Sequence, residues 1–224
     1  MSQRGVVDMI GDKLVIKDYH RKAAAMIYRE LENILKAAVK PVAVTVAGES
    51  GSGKSETAAV LAGLCEKAGY KTLLLQQDDY FVYPPKTNHQ KRLEDISWVG
   101  PQEVRLSLIE ENIETIKKGG EKAVTKPLVN YGQDSISEET LELEGVKAIV
   151  VEGTYTTTLK NIDFKVFIDR NYRQTKKSRL ERSRDPATDF LEKVLAIEHK
   201  VISGHKGLAD LIIPPPENET DTGN

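Results

Sequence analysis

The run Val42-Ala43-Val44-Thr45-Val46-Ala47 leads straight into Gly48-Glu49-Ser50-Gly51-Ser52-Gly53-Lys54-Ser55. A continuous run of β-branched and small apolar residues suits a strand buried on both faces of a parallel sheet. The eight residues after it fit the spacing G-x-x-x-x-G-K-[ST] without exception. Glycines at these positions let successive backbone N–H groups curl around phosphate oxygens. A helix is expected from Lys54 to about Lys67, stopped by Gly69, and its positive N-terminal end would face the same anion. In such a loop the lysine, Lys54, reaches the β and γ phosphates and the hydroxyl of Ser55 ligates Mg²⁺. Glu56 completes the expected nucleotide-binding set. A dinucleotide fingerprint would need a third glycine near Glu56, and none is there.

The rest of the chain repeats the strand–helix alternation. Further buried strands are expected at Thr72 to Gln76, Lys147 to Val151, Phe164 to Asp169 and Ala209 to Ile213, with helices at Pro101 to Lys118 and Phe190 to Ile202. The fold class is therefore α/β: a three-layer sandwich of the P-loop NTPase type with a central, mostly parallel sheet. Residues 78–100 are polar and carry Pro84-Pro85, and read as a long loop. Short strands are expected around Ala123 to Thr125 and Thr140 to Leu143, and a very basic helix over about Arg173 to Arg184. Before the loop strand, Val6 to Ile10 and Leu14 to Ile16 flank Gly11-Asp12, a hairpin signal, and a helix follows from about His20 to Val39. The expected organisation is an N-terminal hairpin-and-helix extension over 1–40, a P-loop domain over 41–214 and a disordered tail over 215–224. The extension is expected to cover a sheet edge or to make a dimer contact.

The 224 residues carry 32 Lys and Arg against 34 Asp and Glu, a net charge of −2. That balance gives no global attraction to nucleic acid or to an anionic membrane. The single cysteine, Cys65, excludes a disulfide framework and sits in a helical apolar pattern as a small core residue. No apolar stretch approaches the roughly 18 residues that span a bilayer, and no signal core follows the N-terminus. A soluble cytoplasmic protein is expected. His89, His199 and His205 have no metal-ligand spacing and are expected at the surface.

A phosphate loop names a site, not a reaction. The chain lacks the N-K-x-D of a GTPase and the L-S-G-G-Q of a transporter ATPase. It resembles the uridine kinase and phosphoribulokinase group of P-loop kinases from about Val42 to Pro214. Besides the loop, four matches carry the resemblance: Gln77-Asp78-Asp79-Tyr80-Phe81, Val150-Val151-Glu152-Gly153, Arg182-Ser183-Arg184-Asp185 and Ala209-Asp210-Leu211-Ile212-Ile213-Pro214. The resemblance implies an ATP-dependent kinase in which Asp78 is the catalytic base and Lys54 a catalytic cation. Asp79 is expected to point away. Glu152 ends a buried run at the carboxyl edge of the sheet, where it can orient Mg²⁺ together with Ser55. A lid helix in this family covers the migrating charge, with Arg179, Arg182 and Arg184 as the candidates.

The acceptor region departs from the family pattern. In the stretch matching P-x-Y-D-F and H-x-R, Val129 stands for the tyrosine, Asp134 for the histidine and Ile136 for the arginine. Val99-Gly100-Pro101 stands for the family's D-H-P. These are changes of chemistry, so uridine is not the expected acceptor. Asn130, Tyr131, Gln133 and Asp134 suggest a hydroxyl-rich acceptor, with Tyr80 or Trp98 available to stack on it. The expected partners are ATP, Mg²⁺ and a small-molecule acceptor, with no nucleic acid, no membrane and self-association left open. The alternative is a nucleotide-binding regulator without kinase activity.

Overall fold

A computed structural model describes residues 14–176, 179 and 188–216. Five parallel strands form the central sheet: β1 (Val42–Gly48), β2 (Lys71–Gln76), β5 (Val146–Gly153), β6 (Phe164–Ile168) and β7 (Leu211–Ile213), in the order β2-β5-β1-β6-β7. A separate antiparallel hairpin pairs β3 (Ala123–Asn130) with β4 (Ser135–Glu142). The helices are α1 (Asp18–Ala37), α2 (Lys54–Lys67), α3 (Pro85–Glu94), α4 (Leu106–Lys118) and α5 (Asp189–Ile202).

Strand periodicity sorts the core into two halves. Val42, Val44, Val46, Ala148 and Val150 point to one face and pack with Ile27, Leu31, Leu61 and Cys65 of α1 and α2. Ala43, Ile149 and Val151 point to the other and pack with Ile109, Ile113 and Ile116 of α4. The result is the expected three-layer sandwich. Because β1 is central, its carboxyl end lies between those of β5 and β6: Ala47 is in register with Gly153 and Gly48 with Ile168. Ligands of open α/β sheets bind at that edge.

Three expectations change. Residues 78–100 are not one loop but contain α3 and short 3₁₀ turns at Gln77–Tyr80 and Ile96–Trp98. α3 buries only Asn88, so it shows no apolar stripe in sequence, although Pro85 suits a first helical turn. The β3–β4 hairpin is longer than expected, since much of β4 is exposed and its polar residues weaken the strand signal. Ala23, Ala24, Ile27, Leu31 and Leu35 of α1 share one core with α2 and the sheet. Leu14 to Ile16, expected as a strand, has no regular structure, and Val6 to Ile10 lie outside the described residues. Cys65 is fully buried, and burial pushes its thiol up to about 11, as befits an inert core residue.

Candidate active site

The loop between β1 and α2 is shaped by contacts that admit only glycine. Gly51 and Gly53 hold φ of +77° and +94°. A Cβ on Gly48 would come within 2.6 Å of Ser52 Oγ, and one on Gly53 within 2.6 Å of His20 Nε2. Gly53 is the N-cap of α2, and no side chain caps that helix. The N–H groups of its first turn have no intrahelical acceptor and are left for an anion. Lys54 makes no hydrogen bond or ion pair among the described residues. A strand-end loop with bare N–H groups and an unpaired ammonium is fitted to phosphate oxygens.

The Glu49 side chain and two loop carbonyls are engaged outside this cradle. Glu49 binds His199 Nδ1 at 2.7 Å through Oε1, and its Oε2 accepts the Tyr172 N–H at 2.7 Å. The Ser50 carbonyl accepts from Thr175 Oγ1 at 3.0 Å and the Ser52 carbonyl from Arg170 Nη1 at 2.9 Å. Glu56 is fully buried. What Glu49 can offer a phosphate is therefore chiefly backbone. Arg170 is itself 2% exposed and also donates to Tyr19 Oη at 2.9 Å. The start of α1 and the segment after β6 thus brace the loop from outside.

Glu152 sits at the end of β5 with a relative exposure of 2%, and its Oε2 has no hydrogen-bond partner among the described residues. Burial first of all, with the nearby charges of Asp78 and Glu56 adding to it, pushes its carboxyl up to about 7; Lys54 and a hydrogen bond from Ser55 oppose the shift. A buried carboxylate with a bare oxygen beside a serine hydroxyl is an incomplete cation site, so Ser55 and Glu152 fit Mg²⁺. No group of three or more His, Cys, Asp or Glu among the described residues could hold a metal alone.

Asp78 follows β2, and its Oδ2 accepts a hydrogen bond from Tyr131 Oη at 3.1 Å. Its neighbour Asp79 is 2% exposed and turned into the protein, bound to Lys126 Nζ at 2.5 Å and to the Val129 N–H at 3.1 Å. Desolvation raises the Asp79 carboxyl, while the Lys126 ammonium opposes the shift. Asp78 and Lys54 both act on the charge of Glu152, so these three expected residues share one electrostatic neighbourhood.

The other expected acceptor residues divide. Tyr131 reaches Asp78 from the β3–β4 tip. Asn130 and Gln133 bond to each other across that tip, Nδ2 to Oε1 at 3.2 Å and N to Oδ1 at 3.0 Å. Asp134 accepts from the Lys86 N–H at 2.6 Å and Thr87 Oγ1 at 3.0 Å, and so ties the hairpin to the start of α3. Trp98 donates from Nε1 to Asn88 Oδ1 at 2.8 Å and lies 5.6 Å from the Tyr83 ring. Tyr80 does not face a ligand. It is fully buried in the core, and its hydroxyl accepts from Asn112 Nδ2 at 2.9 Å.

Of the lid arginines, Arg179 is half-buried beside the loop, with its Cγ 2.7 Å from where a Cβ on Gly51 would stand. Its Nη1 donates to the Tyr172 carbonyl and to Thr175 Oγ1 at 2.7 Å. Arg182 and Arg184 lie outside the described residues. Sequence reasoning missed Arg170 and the Glu49–His199 contact. A signal existed for Arg170 alone, since it follows β6 at the ligand edge of the sheet.

The model of the phosphoribulokinase/uridine kinase family matches residues 43–197. The chain belongs to this family. Its members are ATP-dependent kinases of small metabolites. Uridine kinase from Macrococcus caseolyticus is 29% identical over 188 residues, covering 78% of this chain and 88% of that one. The bifunctional alpha-galactosidase/sucrose kinase of Mediterraneibacter gnavus is 25% identical over 207 residues, covering 86% of this chain but 22% of the relative. The fold matches that of a possible uridine kinase from Bacillus stearothermophilus with a TM-score of 0.64 at 17% identity, covering 86% and 98% of the two chains. No helix among the described residues is long and apolar enough to cross a membrane.

Proposed function

We propose that this chain transfers the γ-phosphate of ATP to a hydroxyl of a small metabolite, at an acceptor site unlike that of uridine kinases. The observation that carries the reading is Asp78, oriented by Tyr131 Oη and sharing the neighbourhood of Lys54 and Glu152. A carboxylate held by one hydrogen bond at the ligand edge can take the proton of an attacking hydroxyl. ATP supplies the phosphoryl group, and Mg²⁺ offsets charge on its oxygens.

The chain's own residues divide the work. The backbone from Gly48 to Glu56 and the ammonium of Lys54 hold the phosphates. Ser55 and Glu152 hold the metal. Asp78 receives the acceptor's proton as the new O–P bond forms and the bridging bond to ADP breaks. Arg179, with Arg182 and Arg184 as further candidates, covers the migrating charge. Tyr131 and Trp98 border the acceptor. The two sequence relatives are named for a nucleoside and a disaccharide as acceptors, and both are rich in hydroxyls.

Asp78→Asn tests the reading. We expect kcat to fall by ~10²–10⁴-fold, the usual contribution of a positioned base. ATP binding, read by equilibrium titration, stays within about twofold, since Asp78 lies off the loop. A variant that keeps most of its kcat removes Asp78 from the base role.

A further inference from the structure

The outer face of the phosphate loop is held by two buried side chains. Arg170 follows β6 and donates from Nη1 to the Ser52 carbonyl at 2.9 Å. The same nitrogen donates to Tyr19 Oη at 2.9 Å, and the guanidinium lies 4.6 Å from the centre of the Tyr19 ring. Tyr19 stands in the first turn of α1, which precedes the stretch matched by the family model. Arg170 is 2% exposed, so its bond to Ser52 is made away from water, where a charged donor counts for more. Thr175 holds a second carbonyl. It is fully buried, and its hydroxyl lies 3.0 Å from the Ser50 carbonyl and 3.3 Å from that of Tyr172. Arg179 Nη1 donates to the same hydroxyl at 2.7 Å. The hydroxyl proton is therefore left for a carbonyl, and Ser50 is the nearer.

A trans peptide is planar, and its N–H points opposite to its C=O. Fixing the Ser50 carbonyl outward turns the Gly51 N–H inward. Fixing the Ser52 carbonyl does the same for the Gly53 N–H. Neither N–H meets an acceptor among the described residues. The peptide unit between them is used otherwise, since the Ser52 N–H closes a turn onto the Glu49 carbonyl at 3.1 Å. Alternate units thus offer their oxygens to the protein and their N–H groups to the cradle. Glycine backbone left to itself samples many orientations, and ordering it on binding would weaken affinity. The Arg170 charge also polarises the Ser52–Gly53 peptide, which makes the Gly53 N–H a stronger donor.

We propose that Arg170 and Thr175 are positioning residues for the phosphate loop: they fix the Ser52 and Ser50 carbonyls so that the Gly53 and Gly51 N–H groups stand ready for the phosphate oxygens of ATP. This rests on ATP lying on the loop and is indifferent to the acceptor. Both residues act through the backbone and need not touch the nucleotide. Tyr19 holds Arg170, so the first turn of α1 supports the nucleotide site from far away in sequence. Donors oriented in advance bind without the cost of ordering them at the moment of contact.

The test uses the full chain with the non-hydrolysable analogue AMP-PNP and Mg²⁺, titrated by calorimetry, beside melting curves of the nucleotide-free chain. Arg170→Met should weaken AMP-PNP binding about tenfold or more, the scale of a bond from a charged donor. Because Arg170 is buried, that variant can also lose stability, and Thr175 gives the cleaner arm. Thr175→Val keeps the side-chain shape and deletes the hydroxyl. It should weaken AMP-PNP binding about threefold to tenfold. The melting temperature of the nucleotide-free variant should stay within about 4 °C of wild type. Thr175→Ser restores the hydroxyl and should return the affinity to within about twofold of wild type. A merely structural role would move the melting temperature and leave the affinity of the folded chain alone. Thr175 also touches Arg179, so Thr175→Val is repeated in an Arg179→Met background, where the same loss is expected if it acts through Ser50. Unchanged affinity in either folded variant, a Thr175→Ser chain as weak as Thr175→Val, or a loss that vanishes in the Arg179→Met background overturns the proposal. A wild type that binds no AMP-PNP removes the nucleotide reading and the proposal together. A wild type that binds it, with variants that match, removes the proposal alone.

Discussion

The two ends of the site are built in opposite ways. The phosphate end is one stretch of chain, Gly48 to Glu56, between a buried strand and a helix start. The proposed acceptor end draws on the β3–β4 tip, the start of α3 and the turn after β2, held together by side-chain bonds among distant residues. The phosphate end therefore takes its shape from backbone geometry and glycine sterics. The acceptor end takes its shape from a few buried polar pairs. Substitutions at the first should alter chemistry and leave the fold standing. Substitutions at the buried pairs of the second, Asp78 apart, should act on stability before they act on turnover.

Asp79 and Lys126 offer the largest effect with which to break that contrast. The pair is 3% exposed on both sides and joins the turn after β2 to β3. Lys126→Met strands a carboxylate in the interior and should cost about 3–5 kcal/mol of stability, measured by chemical denaturation. A loss below about 1 kcal/mol, the worth of a surface pair, would mean that the hairpin is not held this way.

Glu152 sharpens the other side. Its carboxyl stands at about 7 in the folded chain against an ordinary 4.5. The folded state thus holds the proton more tightly than the unfolded state. The associated stability is full below about 4.5 and is lost as pH rises to about 7. Metal binding needs the charged form, so Mg²⁺ affinity should rise across that window. Glu152→Gln should flatten both trends, read by melting curves and by Mg²⁺ titration between pH 5 and 8. A wild-type melting temperature that rises from pH 5 to 8 relative to the Gln variant would contradict the assignment.

Asp134 gives the smallest effect. Its two bonds to the start of α3 act as a helix cap supplied from the hairpin. Asp134→Ala should cost about 1 kcal/mol, as the loss of a capping carboxylate does. Acceptor affinity should fall only as far as α3 loosens. A tenfold loss of acceptor affinity at unchanged stability would instead make Asp134 a direct ligand.

The same contrast explains what could be read in the sequence. β1, α2 and the loop are contiguous and chemically constrained, and each was legible, as were Asp78 and Glu152 as strand-end carboxylates. α3 was not, because Lys86 to Glu94 bury only Asn88 and leave no helical stripe to detect. Tyr80 looked like a ligand-facing aromatic in a polar stretch, but its partner Asn112 lies 32 residues away. His199 looked like a surface histidine because Glu49 is 150 residues distant. Arg92, Glu103 and Glu198 lie far apart in sequence, and only the fold brings α3 and α5 together.

The central claim is transfer to an acceptor hydroxyl, and phosphorus NMR of the reaction mixture tests it most directly. With ATP, Mg²⁺ and a neutral polyhydroxylated acceptor, the account predicts a new phosphomonoester signal growing in step with ADP and disappearing in Asp78→Asn. ADP growing only with inorganic phosphate, at a rate the acceptor does not change, would contradict it.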